Sequence, residues 1–242
     1  MQTTRTSWLW KLELLGFFIS ALAILAFRLQ WLSWRPALLL MAGSLATVVL
    51  IGFLSLFILF AKLRAGKHRG ASRHCLLALL FSLPVLLSIL VMGTNAAKCP
   101  PIHDITTDTI HPPELSFGAQ HRGPDENTVQ YAGTTVAEQQ QQAYADITPL
   151  KSTMPPAKAY TQALAIAGSL GWRIEQEDPS RGIFQATDRS RIFGFVDDIV
   201  IRITPEDAGS RIDLRSASRV GVSDLGVNAK RIRAFIAQFN QP

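Results

Sequence analysis

The chain contains little cysteine and histidine, and this scarcity limits the chemistry that it can perform. Two cysteines, Cys75 and Cys99, are present among 242 residues, which is too few for a framework of disulfide bonds. All five histidines precede residue 146. The serines of the C-terminal part therefore lack the neighbouring base that activates a hydroxyl nucleophile. We expect no bound metal and no cofactor.

Acidic residues are nearly absent from the first 98 residues, which contain ten lysines or arginines and a single acid, Glu13. Residues 99–242 carry fourteen basic and seventeen acidic residues, so the net charge of +6 arises in the apolar part of the chain. A basic excess beside apolar segments is typical of membrane proteins. The acidic remainder has no basic face of the size that phosphate-backbone binding requires, and we expect no nucleic-acid partner.

Three apolar segments are long enough to cross a bilayer whose hydrocarbon core is about 30 Å thick. They cover residues 12–27, 38–61 and 76–93. Tryptophans flank the first segment, and the third contains Pro84, which a membrane helix tolerates. The sequence predicts a three-span membrane anchor over residues 1–97, without a cleaved signal peptide.

The loop between the second and third segments sets the predicted orientation. It carries Lys62, Arg64, Lys67, Arg69 and Arg73. The positive-inside rule places such a loop in the cytoplasm. The N-terminus is then cytoplasmic, and the part after residue 93 lies across the membrane. We predict a multi-pass protein of the bacterial inner (cytoplasmic) membrane with a periplasmic C-terminal domain.

Residues 98–145 are rich in Pro, Gly, Thr and Gln and predict an extended linker, partly laid along the domain surface, with a short helix at 135–144. The folded domain is predicted over residues 146–242. Its apolar periodicity indicates the order strand, helix, four strands, helix. Helices collected on one face of an antiparallel sheet make a two-layer α+β domain.

Charged residues alternate with apolar ones along the last two predicted strands. A symmetric turn at 205–210 places Arg202 opposite Asp213, with Asp198 diagonal to Arg215 and Arg219. These five charges then share the sheet face opposite the isoleucines. The face is either a surface that recognises carboxylate or phosphate, which suit the fork of arginine, or a salt-bridge ladder that satisfies itself beneath the linker.

Helix-start signals follow these strands. Ser223 and Asp224 are good N-caps, and Gly226 stands in the first predicted turn. A glycine there indicates either that something approaches the backbone closely or that the helix packs against a neighbouring strand.

The segment that follows the last apolar run contains Cys99, His103, Asp104, Asp108 and His111. These residue types bind metals, but their spacing matches no zinc pattern. We therefore interpret the segment as an extended leader whose Asp and Thr side chains cap local turns.

Three stretches of the chain, CPPIHDITTD, FVDDIVIRI and RSASRVGVSDLGVNAKRI, occur together. The combination resembles the bacterial family called domain of unknown function 1499, over about residues 99–240. The resemblance implies a compact α+β domain and brings no activity with it. The positions of interest that it implies are His103, Asp104, Asp108, Asp197, Asp198, Arg215, Ser216, Ser218, Arg219, Asp224, Asn228 and Arg231.

We predict that the C-terminal domain binds an envelope component, a partner protein or an anionic ligand through its Arg/Asp-rich sheet face. The predicted binding residues are Asp197, Asp198, Arg202, Arg215, Ser216, Ser218, Arg219, Asp224, Asn228 and Arg231, with His103, Asp104 and Asp108 as a secondary set. The alternative is a hydrolase that acts on an envelope lipid or glycan through Asp198 or Asp224.

Overall fold

A computed structural model describes residues 6–66 and 71–241 and divides the chain into two compact units, residues 1–95 and 96–242. The first unit consists of α1 (Trp8–Arg28), α2 (Trp34–Arg64) and α3 (Ala71–Ala96). Each helix is long and apolar enough to cross a membrane, so the prediction of three apolar N-terminal helices is confirmed. Lys67 and Arg69 of the predicted basic loop lie outside the described residues.

Small residues line the contact between α1 and α2. The hydroxyl oxygens of Ser20 and Ser44 lie 2.6 Å apart, and a Cβ atom on Gly16 would lie 2.9 Å from Val48. Small and hydroxylated side chains let apolar helices approach closely where lipid removes the hydrophobic driving force between them. The two helices therefore pack as neighbours in a membrane anchor do.

The second unit contains a six-stranded antiparallel sheet. Its strands are β1 (Asp104–Thr106), β2 (Leu150–Ser152), β3 (Arg173–Asp178), β4 (Ile183–Arg189), β5 (Val196–Glu206) and β6 (Gly209–Ser218). The order is β1-β6-β5-β4-β3, and β2 also pairs with β6. The helices of this unit are α4 (Ser116–His121), α5 (Thr134–Ala143), α6 (Pro156–Ser169) and α7 (Val227–Phe239). The predicted α+β class is confirmed. The predicted order strand, helix, four strands, helix corresponds to β2, α6, the strands β3 to β6, and α7.

One face of the sheet forms the core with α6 and α7. Ile199 and Ile201 of β5 are buried together with Ile232 and Phe235 of α7. The ring of Trp172 stacks on Phe235 with 5.7 Å between centroids. Each fully buried side chain of this size contributes about 1.5–3 kcal/mol by leaving water. The alternation of isoleucine with charged residues thus fixes which face of β5 meets the helices.

The predicted register of β5 and β6 is confirmed, with Arg202 opposite Asp213 and Asp198 opposite Ala217. The turn is shorter than predicted but remains symmetric, so the pairing is unchanged. Gly209 follows the turn with φ 148°, and a Cβ atom there would lie 2.1 Å from the carbonyl oxygen of Ser152. Only glycine fits at this position, because the end of β2 runs so close beside the start of β6.

The structure differs from the extended linker predicted for residues 98–145. The compact unit begins at residue 96 rather than 146, and β1 joins the sheet with Ile105 fully buried. The short helix predicted at 135–144 is confirmed as α5. Residues 107–133, which we call the strap, cross the sheet face opposite the isoleucines, where Leu115 packs with Val200. The sequence of the strap shows no alternation of apolar residues because the strap forms no strand ladder. Hydrogen bonds of side chains attach it to the sheet.

Candidate functional site

The sheet face beneath the strap carries alternating arginine and aspartate side chains, which we call the strap-side network. Its members come from β1, the strap, β5, β6 and the residue after β6. They are Asp104, Asp108, Arg122, Asp198, Arg202, Arg211, Asp213, Arg215 and Arg219.

Arg215 joins four parts of the domain through one guanidinium group. Its Nε and Nη2 donate to the two oxygens of Asp104 at 3.0 and 2.7 Å. Nη1 donates to the carbonyl of Pro113 at 3.0 Å, and Nη2 also donates to that of Val129 at 2.7 Å. Arg215 is 3% exposed and Asp104 is 6% exposed. The bidentate pair therefore fastens β1 and both arms of the strap to β6.

Asp198 accepts hydrogen bonds from two guanidinium groups. Arg122 of the strap donates its Nε at 2.8 Å, and Arg219 donates Nη2 at 2.8 Å. The same arginines reach backbone carbonyls of the strap, Arg122 that of Asn127 and Arg219 that of His121. The predicted diagonal placement of Asp198 against Arg215 and Arg219 is confirmed. Arg219 bonds to Asp198, whereas Arg215 bonds to Asp104.

Asp108 and Asp213 form a second group with two arginines. Arg202 Nη2 donates to Asp213 at 2.9 Å and to Asp108 at 3.2 Å, and Arg211 contacts both carboxylates. Desolvation by burial acts to raise the pKa of Asp108. The N–H donors of His111 and Ile110 and the charges of both arginines outweigh it, so the pKa is lowered. Asp108 therefore stays ionised and holds the start of the strap.

The remaining predicted residues lie on the other face of the sheet. Arg231 of α7 donates Nη2 to Asp197 at 2.7 Å and to Asp188 at 2.7 Å. Ser216 donates to Asn228 at 2.6 Å. Asn228 donates in turn to the Ser218 hydroxyl at 2.9 Å. The predicted site is therefore two clusters on opposite faces, because successive residues of a strand point in opposite directions.

The N-cap of α7 is Gly226 rather than the predicted Ser223 or Asp224. Asp224, two residues earlier, nevertheless accepts the backbone N–H groups of Gly226 at 2.9 Å and Asn228 at 2.7 Å at the start of the helix. Burial raises the pKa of Asp224 in spite of these donors. A Cβ atom on Gly226 would lie 3.3 Å from both Cys99 Sγ and the Tyr144 hydroxyl. The close approach at Gly226 is thus made by the domain's own chain.

The strap changes the interpretation of the predicted surface. We expected an exposed array, but Asp213 is 1% exposed and Asp198 is 2% exposed. Buried charges are stable only when paired, and these pairs match the alternative of a self-satisfied ladder beneath the linker. Asp198 lies between two guanidinium groups and Asp224 accepts backbone N–H groups at the start of α7, so neither is free to act as an acid or base on a substrate.

Sequence reasoning missed two arginines of the network and the aspartate that joins Arg231. Arg122 falls in the segment predicted as linker, and Asp188 lies near the end of β4. The alternating pattern of β6 places Arg211 on the same face as Asp213, two residues later. That shared face could have indicated that Arg211 belongs to the network. His103 is half-buried, its Nδ1 lies 3.3 Å from the Val222 carbonyl, and its own carbonyl accepts from the Ser218 N–H and from Asn228 Nδ2. Within residues 6–66 and 71–241, no group of three or more His, Cys, Asp or Glu side chains could hold a metal ion.

A cleft of about 500 Å³ lies beside the strap, over the part of the sheet that the strap leaves open. Its walls come from the strap and from β3, the β3–β4 turn, β4 and β5. They include His111, Pro112, Glu114, Ser116, Gln176, Asp178, Arg181, Gln185 and Arg202. Arg202 is the member of the strap-side network that faces this opening.

Residues 104–239 match the family described as "Protein of unknown function (DUF1499)". The match covers more than half of the chain. The chain belongs to the DUF1499 family. No curated protein matches the chain. The match runs from the first residue of β1 to the last residue of α7, so the strap and its network are parts of the DUF1499 domain.

Proposed function

We propose that this protein is a membrane-anchored binding module whose DUF1499 domain holds an anionic group of an envelope component in the cleft beside the strap. The anchor lies in the bacterial inner membrane and the domain in the periplasm. Lys62 and Arg64 at the end of α2 and Arg73 near the start of α3 support this orientation through the positive-inside rule.

The observation that carries the proposal is the state of Arg202. Its Nη2 donates to Asp108, to Asp213 and to the carbonyl of His111. Its buried Nε has no hydrogen-bond partner, and the side chain remains 24% exposed at the cleft wall. A buried donor without an acceptor costs about 1–3 kcal/mol. The exposed part of this guanidinium, rather than its buried Nε, is what an oxyanion in the cleft can contact, and the oxyanion would then pair with a cation that is short of acceptors.

Other residues of the cleft favour a small polar ligand with a carboxylate or phosphate group. Arg181 adds a second guanidinium, and Gln176 supplies an exposed amide group. The carboxylate of Asp178 accepts from the Ser180 hydroxyl and the Arg181 N–H, which commits it to its own turn. A volume of about 500 Å³ is within the usual range for small-molecule sites.

Adding a negative charge to the cleft should weaken anion binding. Gln176 is exposed on β3, and Gln176→Glu places a carboxylate at the cleft wall. We expect inorganic phosphate to bind the full-length protein in micelles about tenfold more weakly, which corresponds to about 1.4 kcal/mol of repulsion. Calorimetric titration measures the effect.

Gln142→Glu on α5 is the matched control, because it adds the same charge at an exposed glutamine that does not line the cleft. Equal weakening by both variants would mean that phosphate responds only to net charge. If neither phosphate nor acetate binds the unaltered protein saturably, the proposal is refuted.

The placement of the domain has its own test. Ile192 is exposed in the DUF1499 domain, and Ala65 is exposed in the turn after α2. In spheroplasts, and in a Cys75→Ala, Cys99→Ser background, Ile192→Cys should react with a membrane-impermeant maleimide, and Ala65→Cys should react only after permeabilisation. The reverse pattern would place the domain in the cytoplasm.

A further inference from the structure

The loop between β6 and α7, residues 219–226, presents apolar side chains to the outside. Val222 is 75% exposed and Leu225 is 39% exposed, and Val227 at the start of α7 is 49% exposed. Leu225 also has a φ of 55°, a conformation that costs a non-glycine residue about 1–2 kcal/mol. The loop therefore holds a strained leucine with part of its side chain outside the core.

The shape of this loop is fixed by its polar groups, which turn inward. The Ser223 hydroxyl donates to the carbonyl of Pro100 at 3.2 Å, and the Asp224 N–H donates to that of Ile102 at 3.2 Å. Asn127 of the strap donates to the carbonyl of Gly221 at 2.9 Å. A loop that turns these polar groups inward and leaves neighbouring valine and leucine side chains outside is suited to an apolar environment.

The partners of the loop limit how far it can lie from the last apolar helix along the chain. Pro100 and Ile102 follow α3, which ends at Ala96. Six residues of extended chain span at most about 22 Å. Whatever the orientation of the domain, the segment that binds the loop stays within that distance of the end of the last apolar helix.

We propose that the β6–α7 loop inserts Val222, Leu225 and Val227 into the interfacial region of the lipid bilayer from which the domain emerges. Partial insertion of apolar side chains at the headgroup level is the mode in which peripheral segments bind membranes. Lipid contact then offsets the strain at Leu225. The contact also gives the DUF1499 domain a second attachment to the membrane. This proposal does not depend on what the cleft binds.

Spin labels test the proposal in the full-length protein. Labels at Val222→Cys and Val227→Cys, in a Cys75→Ala, Cys99→Ser background, are read in nanodiscs of phosphatidylcholine and phosphatidylglycerol. We expect high accessibility to oxygen and low accessibility to a nickel chelate, as for a site within lipid. Ile110→Cys and Ile192→Cys are matched controls, since both are exposed apolar residues outside this loop, and should be accessible to the nickel chelate.

Nickel accessibility at residues 222 and 227 equal to that at residue 192 would overturn the proposal, because the loop would then face water. Low accessibility to both oxygen and nickel would also overturn it, because a protein surface rather than lipid would cover the loop. All four labelled positions are solvent-exposed, so the labels do not disturb the core.

Discussion

Replacing Asp198 with alanine is expected to destabilise the DUF1499 domain by about 3–5 kcal/mol, because it leaves two arginines without their counter-charge. The side chains of Arg122 and Arg219 are 5% and 12% exposed, so water cannot replace the lost carboxylate. The loss also frees the strap, since both arginines reach strap carbonyls only while Asp198 holds them in place. Urea titration followed by pulse proteolysis measures the free energy of unfolding.

Two other variants make this expectation specific. Asp207→Ala removes an exposed aspartate from the β5–β6 turn and should change stability by no more than about 0.5 kcal/mol. Asp198→Asn keeps an acceptor oxygen without the charge and should fall between the two. If Asp198→Ala were no more costly than Asp207→Ala, the buried pairs could not be what fastens the strap.

The part of the fold that could be predicted from the sequence is the part in which local patterns decide the outcome. In β5, Ile199, Ile201 and Ile203 alternate with Asp198 and Arg202, and a one-residue slip would turn every isoleucine outward. The register of β5 against β6 was therefore recoverable, and so was the face that carries the charges.

The strap could not be predicted, because its order depends on partners distant in the chain. Asp104 and Arg215 are 111 residues apart, and neither carries a local sign of the other. The segment is polar and proline-rich, which is the composition of a linker. The sequence thus showed that the charges share a face but left open whether the linker covers that face. That missing fact converts an exposed recognition surface into a largely buried network in which Arg202 borders the cleft.

The network can attach the strap to the sheet without adding net stability to the fold. Variants of the pair Arg215 and Asp104 distinguish attachment of the strap from stabilisation of the fold. Arg215→Met should destabilise the domain by about 3–5 kcal/mol, since it leaves a buried carboxylate unpaired, and Asp104→Leu should have a similar effect. The double variant should cost much less than the sum of the single variants, because an apolar pair replaces two charges that were expensive to bury.

A residual cost should nevertheless remain in the double variant, and it should be confined to the strap. Without Arg215, the carbonyls of Pro113 and Val129 lose their donors, at about 1–3 kcal/mol each when they stay buried. Hydrogen exchange should therefore quicken across residues 107–133 while the amides of β5 and α7 keep their protection. Single-variant effects that simply add would mean that Arg215 and Asp104 do not act as a pair. Exchange that quickens equally in β5 would mean that the pair supports the whole sheet. Non-additive stability effects together with faster exchange confined to the strap would show that Arg215 attaches the strap to the sheet. The composition of the strap does not reveal that it is folded.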